Sequence, residues 1–112
     1  MIIYHNPRCS KSRQTLQLIE EKGITPEVVL YLNDIPSKSD LKTILKKLNI
    51  SAEQLIRKGE KDYKENFKGK DLSEDEWIDA MIKFPKLIER PIVVKGEKAV
   101  IGRPPESVLE II

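Results

Sequence analysis

The chain reads as an α/β protein: a four-stranded mixed sheet flanked by helices, with a helical insertion between strands 2 and 3. Three observations predict this. A strand–helix–strand pattern opens the chain, three serine-led helix starts follow one another through the middle, and two short apolar runs around Lys95-Gly96-Glu97-Lys98 come near the end. The insertion covers residues about 35–88 of a single domain spanning 1–112, because no flexible linker sets it apart.

Each element has a local reason. Ile2 to Tyr4 is a short apolar run, and Asn6-Pro7 marks the turn after it. The first helix is expected from about Ser10 to Lys22, with Leu16, Leu18 and Ile19 on its apolar side and Gly23 as its left-handed stop. Val28-Val29-Leu30-Tyr31-Leu32 is nearly all apolar, which predicts a strand from about Glu27 to Leu32 covered on both faces and parallel to the first.

Capping boxes at Ser37, Ser51 and Ser73 then open three helices. Their apolar faces are Leu41, Ile44, Leu45 and Leu48; Leu55 and Ile56; and Trp77, Ile78, Met81 and Ile82. The charged stretch from Gly59 to Asp71 mixes loop with a helical turn, and Pro85 ends the third helix or begins the next turn. Pro91 to Val94 and Ala99 to Ile101 form a hairpin that Gly102 terminates. Pro104-Pro105 leads into a final helix with Val108, Leu109 and Ile112 facing inward.

Composition excludes several functional classes. With 112 residues, 39% hydrophobic and 34% charged, the chain fits one compact domain with a charged surface. A net charge of +2, with lysines interspersed among 18 acids, argues against a nucleic-acid footprint, and no aromatic–basic stacking motif is present. The longest apolar runs are too short to span a membrane, and no signal peptide is read at the start. A lone histidine among scattered acids gives no metal-ligand cluster, so no metal is expected. One cysteine precludes an internal disulfide and favours a reducing cytoplasm. A monomer is the default, since no long exposed apolar helix asks for a partner.

That cysteine is the candidate nucleophile. Cys9 stands at the mouth of the first helix, where unpaired N–H groups and the positive dipole end favour an anion. Arg8, Lys11 and Arg13 surround it, and no acid precedes Glu20. Both effects favour thiolate over thiol, and thiolate is the reactive form. A free cysteine can also be a small buried apolar residue, but the polar surroundings of Cys9 disfavour that.

Only five of the 20 basic side chains are arginines: Arg8, Arg13, Arg57, Arg90 and Arg103. Arg90 and Arg103 each precede a proline, and Arg57 is expected at the end of a short helix. An arginine fork matches an oxyanion in a way that a lysine point charge does not. Arginines at element ends also serve as surface residues or caps, so placement alone leaves both roles open.

Four blocks in order carry a resemblance. Tyr4-His5-Asn6-Pro7-x-Cys9-x-x-Ser12-Arg13, Leu55-Ile56-Arg57-Lys58, Glu89-Arg90-Pro91-Ile92-Val93-Val94 and Arg103-Pro104-x-Glu106 together resemble the glutaredoxin-linked arsenate reductase family, of thioredoxin-like fold. The resemblance implies Cys9 as the catalytic cysteine and Arg57, Arg90 and Arg103 as the residues holding the oxyanion. It implies His5 and Ser12 as helpers of cysteine ionisation, and a cis Arg90-Pro91 bond beside the site. The implied activity is arsenate reduction, with glutathione as co-substrate, glutaredoxin as partner and no bound cofactor. Ser12 occupies the place of a second thiol, so the chain cannot resolve an adduct internally. Relatives of this kind carry small neutral residues around the nucleophile, where this chain has the positive charges of Arg8 and Lys11.

Other readings use the same residues. A phosphatase loop needs an arginine where Thr15 stands, and is rejected. A redox-regulated transcription factor of the related group usually has Cys-x-x-Cys, against which Ser12 argues. A glutathione-dependent thiol oxidoreductase acting on mixed disulfides is the main rival. A non-catalytic redox or anion-binding regulator is third.

Overall fold

The computed structural model describes residues 1–112. Its backbone contacts divide into two compact units: Met1–Asp34 with Arg90–Ile112, and Ile35–Glu89.

The first unit holds the sheet. Strands β1 (Ile2–His5), β2 (Glu27–Leu30), β3 (Ile92–Lys95) and β4 (Lys98–Ile101) lie in the order β2-β1-β3-β4. β1 pairs parallel with β2, Ile3 opposite Val28, and antiparallel with β3, Ile3 opposite Val93. The β3–β4 hairpin closes with Lys95 opposite Lys98. Its turn is Gly96-Glu97, and Gly96 takes the positive φ of 60° that a first turn position of this kind demands. Helix α1 (Ser10–Glu21) follows β1 and ends before Gly23, whose φ of 79° confirms the left-handed stop. Ile3, Ile19, Val93 and Val108 form the buried centre, with Leu16, Leu18, Val100 and Ile111 packed against it.

Two expectations for this unit are corrected. The second strand ends at Leu30, and Tyr31 to Asn33 form a turn, with the Asn33 and Asp34 N–H groups donating to Leu30 O. It is an edge strand with Val28 43% and Leu30 39% exposed, so it is not covered on both faces. Its unbroken apolar run reflects strand preference rather than burial. The last helix is a 3-10 helix, Pro105–Glu110. At three residues per turn, Pro105, Val108 and Ile111 share the inward face, and Leu109 and Ile112 are exposed. The Arg90-Pro91 bond is cis as anticipated; Arg103-Pro104 is cis as well.

The second unit is helical: α2 (Lys38–Leu48), α3 (Ala52–Leu55), α4 (Lys61–Asn66), α5 (Glu74–Lys83) and a 3-10 turn at Pro85–Leu87. All three serine capping boxes are present, each with reciprocal side-chain and backbone bonds. α5 packs against α2, α3 and the 3-10 turn, burying Trp77, Ile78, Ala80 and Met81. The charged stretch before it is anchored by rings. Tyr63 stacks on Trp77 at 6.3 Å, and Phe67 meets Trp77 at 5.9 Å and Phe84 at 5.7 Å. Ile56 lies outside the helix, in extended backbone bridged to Ile88.

Candidate active site

The loop from β1 to α1 is built by short-range polar chemistry. Asn6 is buried; its Oδ1 accepts from the Arg8 N–H at 3.0 Å and its carbonyl from the Cys9 N–H at 3.0 Å. This side-chain-closed turn delivers Cys9 to the N-cap position of α1. The Arg13 guanidinium donates to Pro7 O at 2.8 Å and pins the loop to the first helical turn. Ser12 is fully buried. Its hydroxyl oxygen accepts from the Asn6 N–H at 3.1 Å and shares a 2.6 Å hydrogen bond with His5 Nδ1.

Cys9 is half-buried and free. Arg103 reaches it from the end of β4: Nη2 donates to the sulfur at 3.4 Å, and Nε donates to Arg90 O at 2.8 Å. One guanidinium thus spans the sulfur and the backbone just before Pro91. Burial pushes the Cys9 thiol up, but the Ser12 and Lys11 amides and the Arg103 and Arg90 guanidiniums outweigh it, leaving the thiol below its ordinary value. The sulfur closes no cap hydrogen bond within the first turn, so the amides act on it mainly as oriented dipoles. His5 is lowered by burial and by the Arg13 charge, which keeps its imidazole neutral near pH 7.

The first unit therefore brings together Cys9, His5, Ser12, Arg90 and Arg103. His5 and Ser12 meet each other through their side chains, and Ser12 acts on the sulfur through its backbone amide. Arg57 belongs to the second unit. It directly follows Ile56, the C-cap of α3 and the residue bridged to Ile88, and its N–H donates to Leu87 O at 2.7 Å. Its guanidinium lies 3.7 Å from Glu60 Oε1 and 3.8 Å from Glu89 Oε1, with all three side chains about a quarter exposed. It lines an open groove of about 860 Å³ with Ser51, Gln54, Lys58 and Gly59. Asn6, Thr15 and Gly102 also frame the site, although sequence reasoning offers none of them as a site residue. The Asn-Pro turn signal points to the first, and no local pattern points to the other two.

This arrangement can hold a thiolate in a half-open site beside a donor fork suited to an oxyanion. Residues 4–111 match the model of the ArsC family. The chain is 56% identical over 112 residues to the uncharacterized protein YfgD of Escherichia coli K12, covering 98% of this chain and 94% of the relative. It is 52% identical to an arsenate reductase of Haemophilus influenzae, covering 100% of this chain and 98% of the relative. Among solved structures, the arsenate reductase of Vibrio cholerae superimposes with a TM-score of 0.95 at 50% identity, covering 99% of this chain and 96% of that one.

Proposed function

The chain belongs to the ArsC family, and on that premise we propose that it is an arsenate reductase with Cys9 as its nucleophile. The observation that carries the reading is the Arg103 Nη2 hydrogen bond to the Cys9 sulfur at the N-terminus of α1. A sulfur held this way is biased toward thiolate, and the donor beside it is suited to the anion it attacks.

In this reading the thiolate attacks arsenic. A sulfur–arsenic bond forms, and an arsenic–oxygen bond breaks to release hydroxide or water. Arg90 and Arg103 neutralise the oxyanion and the charge that builds during attack. Arg57 is the third arginine of the reading, supported by its place in the sequence pattern. Its partners Glu60 and Glu89 are then the groups an incoming anion competes with. His5 and Ser12 support the thiolate by holding the loop that presents it.

Taking arsenic(V) to arsenic(III) needs two electrons, and the chain has no second cysteine. Glutathione thiolate attacks the Cys9 sulfur of the adduct: a sulfur–sulfur bond forms, the sulfur–arsenic bond breaks, and arsenic leaves with the electron pair as arsenite. A glutaredoxin thiol then attacks the glutathione sulfur of the mixed disulfide and frees the Cys9 thiolate. Two thiols become one disulfide for each arsenate reduced. The test is arsenite formation with glutathione and glutaredoxin, run beside a mixed-disulfide substrate. Arsenite formation that falls to background in Cys9→Ser supports the reading. Turnover of the mixed disulfide alone would replace it with a thiol oxidoreductase.

A further inference from the structure

Gly102 is buried between the end of β4 and Arg103. A Cβ added there would stand 2.5 Å from Thr15 Oγ1, 2.8 Å from Pro91 Cγ and 2.9 Å from Thr15 Cγ2, all closer than real Cβ contacts. Its φ is not positive, so backbone angle does not require glycine; closeness of approach does. The Gly102 N–H donates to Pro91 O at 2.9 Å. Thr15 is fully buried, and its hydroxyl lies within donating distance of Lys11 O at 2.8 Å and Gly102 O at 3.3 Å.

Three stretches of chain therefore meet at one point. Thr15 shares α1 with Cys9, Pro91 follows Arg90, and Gly102 precedes Arg103. The Arg103 side chain is long, and its fork is tied at Arg90 O and at the Cys9 sulfur. Where that fork ends depends on where its backbone starts. Thr15 and Pro91 leave that backbone no slack.

We propose that Thr15, Gly102 and Pro91 form the positioning contact that holds the Arg103 guanidinium against the Cys9 sulfur. None of the three touches the reacting atoms; they act through Arg103. The inference rests on Arg103 serving Cys9 as described above. Its primary readout is thiol titration without arsenate, so its failure is distinguishable from failure of the reductase reading.

The experiment measures the pH dependence of Cys9 alkylation and the KM for arsenate in Gly102→Ala, Thr15→Ala and the double variant, with thermal melts for folding. Gly102→Ala pushes Arg103 off the sulfur. The alkylation midpoint moves up by about one pH unit, and arsenate KM rises by roughly tenfold or more, as sub-ångström to ångström misplacement produces. Thr15→Ala loosens the contact and gives a smaller shift in the same direction; this removal of side-chain bulk keeps the proposal testable if Gly102→Ala misfolds. The double variant removes Oγ1 and Cγ2 from the path of the new methyl and leaves only the 2.8 Å approach to Pro91 Cγ, so both values return part of the way toward wild type, a non-additive result. Wild-type titration in Thr15→Ala and in any folded Gly102→Ala would overturn the proposal. So would effects that simply add in the double variant.

Discussion

Cys9 is pulled in two directions: burial favours its neutral thiol, while two backbone amides and two guanidiniums favour the thiolate and win. Arg103 donates to the sulfur at 3.4 Å and is the stronger of the two guanidinium influences on it. Arg103→Ala is therefore expected to lower kcat/KM for arsenate by on the order of 10²-fold, with Arg90→Ala weaker in steady-state kinetics. His5 makes a separate prediction about acid stability. Its folded-state pKa lies below the ordinary 6.5, burial first and Arg13 second. The unfolded chain then takes up a proton at this site before the folded chain does. Stability contributed by neutral His5 is present above pH 6.5 and is lost as pH falls through the lower folded value. Urea midpoints measured from about pH 7 to about pH 5 should fall more steeply for wild type than for His5→Asn. Equal slopes would show that the buried imidazole is not linked to folding.

The elements divide by how local their causes are. Each serine box is complete within four residues of sequence, so the starts of α2, α3 and α5 are legible from the chain itself. Ser73→Ala removes the cap of α5, whose buried face carries Trp77 and Met81, and should cost about 1 kcal/mol in chemical denaturation. The final helix is legible as a helix but not as a 3-10 helix, because Pro104-Pro105 announces a helix start without setting its pitch. That pitch decides which side chains are buried. Val108→Ala should cost roughly 1–3 kcal/mol, whereas Leu109→Ala, on the exposed side, should stay within about 0.5 kcal/mol. The reverse ranking would restore the α-helical facing of Leu109. The exposed edge of β2 is not legible, since an apolar run encodes strand preference and says nothing about how many neighbours the strand acquires. Tyr63 and Phe67 are likewise hidden among charges, and only tertiary packing reveals them as ring partners of Trp77.

In the molecule as a whole, the site joins residues far apart in sequence: Cys9 from the start of α1, and Arg90 and Arg103 from either end of the hairpin. The residue types are legible because few chemistries need a helix-mouth cysteine and arginines placed before prolines. The contact that lets those arginines converge is not, because Thr15 and Gly102 look ordinary until α1 and the end of β4 are seen against each other. If Cys9 acts as proposed, one sulfur and one guanidinium fork share a single anion site. Alkylation of Cys9 across pH, with and without arsenate, tests it most directly. The expected result is a midpoint below that of a free thiol and slower alkylation in the presence of arsenate, with both effects reduced in Arg103→Ala. A thiol that titrates like free cysteine, at a rate indifferent to arsenate, would contradict it.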